Sequence, residues 1–129
     1  MAHYSSFESL EVYKEATSFC DDIWNTITHT TLSKDYKLRE QINGSSGSVM
    51  DNIAEGFGRG GNKEFIMFLS FSKGSCCETK AQLLRCYNRN HIDKITYQKL
   101  NNKADDLINQ LSKFMNYLKH SNRKGAKFD

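Results

Sequence analysis

At 129 residues and 14.8 kDa, with 38% hydrophobic and 26% charged residues and no proline, the chain has the size and composition of one globular domain. A mean hydropathy of −0.66 and the lack of any apolar run of about 18 residues exclude a membrane-spanning helix, so no membrane partner is expected. Residues 1–10 lack the basic and apolar regions of a secretory signal, which points to the cytoplasm. The net charge of +3 is too mild to name a nucleic-acid binder, but it is unevenly spread. Residues 1–31 carry Lys14 against five acids, a net −4, whereas residues 62–90 and 119–129 each carry a net +3. One end of the chain should repel polyanions and two later segments attract them.

Phe7, Leu10, Tyr13, Ala16, Cys20, Ile23 and Ile27 recur every three or four residues, the stripe of an amphipathic helix. Ser5 with Glu8 reads as its capping box, and Thr28, Thr30 and Thr31 should end it near Thr30. A second helix spans about 34–57, with Leu38, Gln41, Ile42, Ser45, Val49, Ile53 and Phe57 on one face. Its segment Gly44-Ser45-Ser46-Gly47-Ser48 costs a few kcal/mol of helix propensity, and reads either as a flexible loop or as a close crossing between helices.

Gly58, Gly60 and Gly61 mark the sharpest break, and Asn62 is a good N-cap for a third helix reaching about Arg89. Phe65, Phe68, Leu69, Ser72, Cys76, Thr79, Leu83 and Cys86 should face inward, with Asn90 ending the helix in the left-handed conformation. Thr96 can cap a fourth helix whose Leu100, Ala104, Leu107, Leu111, Phe114 and Leu118 form the cleanest heptad. Four long helices with short connections imply an all-α, antiparallel up-down four-helix bundle over residues 1–120, followed by a basic, flexible tail at 121–129.

No catalytic or metal constellation emerges. Cys76 and Cys77 are adjacent and no C-x-x-C occurs, so Cys20, Cys76, Cys77 and Cys86 read as reduced packing residues rather than zinc ligands. None of His3, His29, His91 and His120 has a glutamate three residues before it, as a di-iron bundle would need. Neither Cys76 nor Cys77 has a histidine nearby in sequence, and the four histidines fall near predicted helix ends or termini, so neither enzyme activity nor a cofactor is expected. The run from Gly56 to Gly61 matches G-x-G-x-x-G, but a helix precedes it where a dinucleotide loop needs a strand. It reads as an interhelical turn with Arg59 at its tip, able to meet a phosphate or an acidic partner. Asn52, Glu55, Ser75, Glu78 and Gln82 lie on or beside apolar faces, either as a solvated flank or as a polar network fixing helix register or a subunit contact.

The segment Asn52-Ile53-Ala54-Glu55-Gly56-Phe57-Gly58-Arg59, then Glu64-Phe65-Ile66-Met67-Phe68-Leu69, then Gly74-Ser75 with Glu78, Gln82 and Leu83, closely resembles the four-helix-bundle proteins encoded in intervening sequences of bacterial 23S ribosomal RNA genes. These are related to the accessory variability protein of diversity-generating retroelements, and the opening from Phe7 to Ala16 is similar as well. The resemblance implies a left-handed antiparallel bundle that assembles as a ring-shaped homopentamer, with nucleic acid and a reverse transcriptase as partners in the retroelement relatives. Its motif residues, including Gly56, Gly58 and Arg59, would serve structure or subunit contact. The resemblance also places Gly44 to Ser48 inside the second helix, favouring the close crossing. Ile42 to Met50 stand where such proteins usually carry Arg-Arg-Ala and a proline, so positive charge is lost there.

Two functions fit this reading. The chain is either an accessory factor whose Lys73, Lys80, Arg85, Arg89, Arg123, Lys124 and Lys127 contact the phosphates of RNA or DNA without base specificity, or an oligomeric scaffold for another protein.

Overall fold

A computed structural model describes residues 5–121, so the expected tail with Arg123, Lys124 and Lys127 lies outside the described residues. Four α-helices account for most of them: α1 (Glu11–Thr28), α2 (Tyr36–Arg59), α3 (Asn62–Asn88) and α4 (Lys94–Lys119). Short 3-10 turns at Phe7–Ser9 and Thr31–Lys34 precede α1 and α2, and no strand occurs among the described residues. The chain is an all-α four-helix bundle in which α2 packs most extensively on α3, α3 on α4, and α1 on α2.

The apolar stripes become one core. All eight positions expected inward on α3 are buried, and so are Leu100, Ala104, Leu107, Leu111 and Leu118 of the α4 heptad. On α1 the phase is rotated slightly: Val12, Ala16, Phe19, Ile23 and Ile27 are buried, while Cys20 is half-buried. Phe19 decides this rotation, because full burial of a phenylalanine yields about 1.5–3 kcal/mol, more than a half-buried thiol returns.

The starts of α1, α3 and α4 follow a residue with extended backbone. The expected Ser5–Glu8 capping box does not start α1. Ser6 caps the short 3-10 turn at Phe7–Ser9 by accepting from the Glu8 N–H at 3.2 Å, and α1 begins at Glu11 after Leu10, which makes no side-chain cap bond. Asp93, not Thr96, caps α4, its carboxylate accepting from the Thr96 N–H at 2.8 Å. Gly61 is the N-cap of α3, and Asn62 is already its first helical residue. Between α2 and α3 the chain reverses through Gly60 at φ 94°, a conformation that only glycine adopts without strain. Asn90 takes the left-handed position after α3, at φ 62°.

α2 runs unbroken through Gly44 to Ser48, as the motif register implies. The physical reason differs from the expected crossing at the glycines, because a Cβ at Gly44 or Gly47 would meet nothing within 4 Å. The serines do the packing. Ser45 and Ser46 are buried, and small hydroxyls let neighbouring helices come close while each still finds a hydrogen-bond partner. The close approach of α2 to α3 falls instead at Gly56, where an added Cβ would lie 2.6 Å from Phe68 Cβ.

Candidate functional site

A polar layer crosses the α2–α3 contact. The Ser45 hydroxyl donates to Gln82 Oε1 and lies 2.8 Å from Thr79 Oγ1, which donates to the Ser75 carbonyl at 2.8 Å. Ser72 Oγ donates across to the Val49 carbonyl at 2.7 Å, and Cys76 Sγ donates to the Ala104 carbonyl on α4 at 3.5 Å. Each bond satisfies a group whose unpaired burial would cost about 1–3 kcal/mol. This layer fixes how α2 and α3 slide on each other. Gln82 is therefore a buried network residue, and Ser75 contributes through its carbonyl.

The other motif residues divide. Asn52 donates within α2 to the Ser48 carbonyl at 2.8 Å and hydroxyl at 3.1 Å. Glu55 and Glu78 are exposed, and Gly58 has open space around it. Arg59 sits between Glu55 at 3.6 Å and Glu64 at 3.8 Å, with its guanidinium 4.9 Å above the Phe68 ring. It ties the end of α2 to the start of α3.

The expected phosphate contacts on α3 are spread over two flanks. Lys80 ion-pairs with Asp105 on α4, and this hydrogen bond raises its pKa. Arg85 donates to Gln41 Oε1 on α2 at 2.9 Å, and Arg89 lies 2.9 Å from Asp35 Oδ2 just before α2. Lys73 is half-buried and has no ion-pair partner among the described residues. Across the bundle, Lys103 of α4 also pairs with Asp22 of α1 at 2.5 Å.

One cluster escaped the sequence reading. His91 Nε2 lies 2.9 Å from Asp35 Oδ2 and its Nδ1 lies 2.8 Å from Thr31 Oγ1. The His91 and Arg89 hydrogen bonds, in that order, hold the Asp35 carboxyl below its ordinary range. We assign the cluster a clamp role, since Arg89 shares the carboxylate oxygen and the four residues join the turn after α3 to the entry of α2. Residues 60 positions apart meet here, and no local pattern announces that. Burial pushes the Cys76 thiol up to about 12 and the Cys86 thiol up to about 11, which suits packing rather than nucleophilic chemistry. No group of three or more His, Cys, Asp or Glu side chains able to hold a metal occurs among the described residues.

This order of helices and motif residues has known counterparts. The sequence model of the 23S rRNA-intervening sequence protein family matches residues 8–113. The chain belongs to this family. Its fold is similar to the crystal structure of a protein of unknown function from the S23 ribosomal protein family of Bacteroides thetaiotaomicron VPI-5482, at TM-score 0.73 and 21% identity, over 81% of this chain and 97% of that one. No protein with a curated description matches the chain. In this member of the 23S rRNA-intervening sequence proteins, the motif around Asn52 to Arg59 builds the α2–α3 corner: Gly56 allows the close approach, Arg59 bridges it, and Gly60 turns it.

Proposed function

We propose that the protein is a non-enzymatic, self-assembling accessory protein of the rRNA-intervening-sequence type that binds RNA or DNA through its basic C-terminal segment. The observation that carries this reading is where uncompensated charge lies. Within the bundle Arg59, Lys80, Arg89 and Lys103 face carboxylates of the same chain. Residues 5–121 carry 15 Lys and Arg against 14 Asp and Glu, whereas the sequence of the last eight residues holds three basic residues, Arg123, Lys124 and Lys127, and one acid, Asp129. Lys73 and Arg85 add weaker contacts from α3.

The bundle is the platform on which these segments are multiplied. Its helices are antiparallel, as the pairing of Asp35 with Arg89, Ser45 with Thr79 and Gly56 with Phe65 supports, and left-handed, as the family resemblance implies. The same resemblance makes a pentameric ring the expected assembly, and five copies would present five basic segments to one polyanion. Weak phosphate contacts then add as a multivalent set. A protein partner, including a reverse transcriptase, is the second reading, supported by the exposed Trp24, Tyr36 and Ile95.

The test replaces Arg123, Lys124 and Lys127 by glutamine and measures RNA and DNA binding across a salt series. The account expects the parent to bind both, with log affinity falling linearly in log salt, and the variant to bind more weakly with a flatter slope. A parent that binds neither at low salt would leave the scaffold reading in possession.

A further inference from the structure

The groove between α3 and α4 carries lysines that no carboxylate neutralises. Where α3 begins and α4 stops, Lys63 and Ile66 of α3 and Met115, Asn116 and Lys119 of α4 line a cavity of about 370 Å³, the size of a small-ligand site. Ile66 and Met115 pack partly against the core and form an apolar floor, while Lys63, Asn116 and Lys119 are exposed around it. Neither Lys63 nor Lys119 has an ion-pair partner among the described residues. Glu64, next to Lys63 in the chain, is turned to Arg59 of α2 at 3.8 Å.

Helical spacing carries the charge along the groove. Ile66, Lys73, Lys80 and Tyr87 fall on one line of α3, because seven residues make close to two turns. α4 borders that line at both ends: Ile66 shares the cavity with Met115, Lys80 pairs with Asp105, and the Tyr87 ring stacks on Tyr97 with centroids 5.1 Å apart. Lys73 therefore lies on the same groove, half-buried and without an ion-pair partner among the described residues. It stands about 15 Å from Lys63 along the helix axis, at 1.5 Å per residue. Asp105 is already taken by Lys80, and Asp106 falls on the exposed outer face of α4.

The occupant has to bring negative charge to both rims and an apolar group to the floor between them. A single strand of nucleic acid does so, since its phosphates repeat along the chain and its bases are free to turn aside, whereas a duplex keeps its bases paired inside. We propose that one nucleotide of a single strand seats in this cavity, its base against Ile66 and Met115 and the flanking phosphates on Lys63 and Lys119, with Lys73 receiving a phosphate farther along the groove. The Met115 thioether suits an aromatic face, and the exposed Asn116 amide offers a donor and an acceptor to the base edge. The inference rests on the nucleic-acid reading above and gives it a seat on the bundle. Arg123, Lys124 and Lys127 follow Lys119 in sequence, so strand held by that segment lies within reach of the cavity.

The test uses the full chain and a short fluorescent single-stranded RNA containing thiouridine. Irradiation of the parent complex is expected to attach RNA to the peptides holding Ile66 and Met115, read by mass spectrometry after digestion. Lys63→Gln combined with Lys119→Gln should weaken binding and flatten the slope of log affinity against log salt by about 1.4, two contacts at roughly 0.7 each for a single strand. Adding Lys73→Gln should remove about 0.7 more. Helical content and assembly mass should stay those of the parent, because the substituted side chains make no ion pair within the bundle. Cross-links confined to residues 122–129, or a Lys63 and Lys119 variant with the parent's slope, would overturn the inference and leave the C-terminal segment as the binding element. Polyglutamate that displaces the RNA as well as unlabelled RNA of equal charge would overturn it too, since a groove that reads charge alone has no seat for a base. A parent that binds no RNA at low salt would overturn both the seat and the reading beneath it.

Discussion

Replacing Gly56 by alanine should destabilise the bundle while the same change at Gly44 or Gly47, on the same helix, stabilises it. Alanine is favoured over glycine in a helix interior by about 0.8–1.0 kcal/mol. At Gly44 and Gly47 a Cβ meets nothing within 4 Å, so that gain is realised in full. At Gly56 the Cβ would fall 2.6 Å from Phe68 Cβ, 3.0 Å from Phe65 Cδ1 and 3.4 Å from the Phe65 carbonyl oxygen. Carbon atoms need about 3.5–4.0 Å, a shortfall of roughly 1 Å at the worst contact. Phe68 Cβ is bonded to the α3 backbone and cannot rotate away, so α3 as a whole must shift. Overpacking of this kind costs about 1–3 kcal/mol and outweighs the propensity gain. Because the propensity gain is common to both variants, the expected separation between Gly56→Ala and Gly44→Ala is the overpacking cost, about 1–3 kcal/mol, or roughly 4–12 °C in Tm. Thermal and urea unfolding followed by circular dichroism at several protein concentrations would measure it, the concentration series separating folding from assembly. A Gly56→Ala protein that melts at or above Gly44→Ala would refute the close α2–α3 approach.

Three further outcomes follow from the interior. Ser45→Ala removes the hydroxyl that donates to Gln82 and should cost about 1–3 kcal/mol by urea unfolding, more than alanine's propensity advantage returns. Asp35→Asn should destabilise at neutral pH. The Asp35 pKa is lowered on folding, so its stabilisation is complete above the ordinary 3.8 and is lost as pH falls through the lower folded value; the gap between parent and variant should close in that acid window. In the folded protein at neutral pH, a thiol reagent should modify Cys77 rapidly and leave Cys76 and Cys86 until unfolding, because burial holds those thiols at about 12 and about 11.

Periodicity carried most of the fold. The inward faces of α3 and α4 were legible because every third or fourth residue there is apolar or small over seven turns, and burial of that stripe dominates any local preference. Helix ends were legible only to within a few residues, since Ser5 and Ser6, or Asp93 and Thr96, can each cap, and the choice falls to whichever adopts extended backbone. The glycine and serine run in α2 was placed correctly for a reason that the packing revises. Its poor propensity is offset by Ser45 and Ser46 bonding inside the bundle, and not by backbone contact at Gly44 or Gly47. The candidate site was the least legible part. Which acid Lys80 or Arg89 would meet depends on helices brought together over 25 and 54 residues, so charge counted along the chain overstates what α3 offers a phosphate.

Sedimentation velocity of a fluorescent single-stranded RNA at low salt, with the full-length protein at micromolar concentration, tests the central claim in one measurement. The account predicts that the RNA moves in a complex several times heavier than one 14.8 kDa chain plus RNA, and that raising the salt returns it to its free rate. RNA sedimenting at its free rate in low salt, or bound to a single chain, would contradict the claim that an assembled bundle gathers basic segments onto one polyanion.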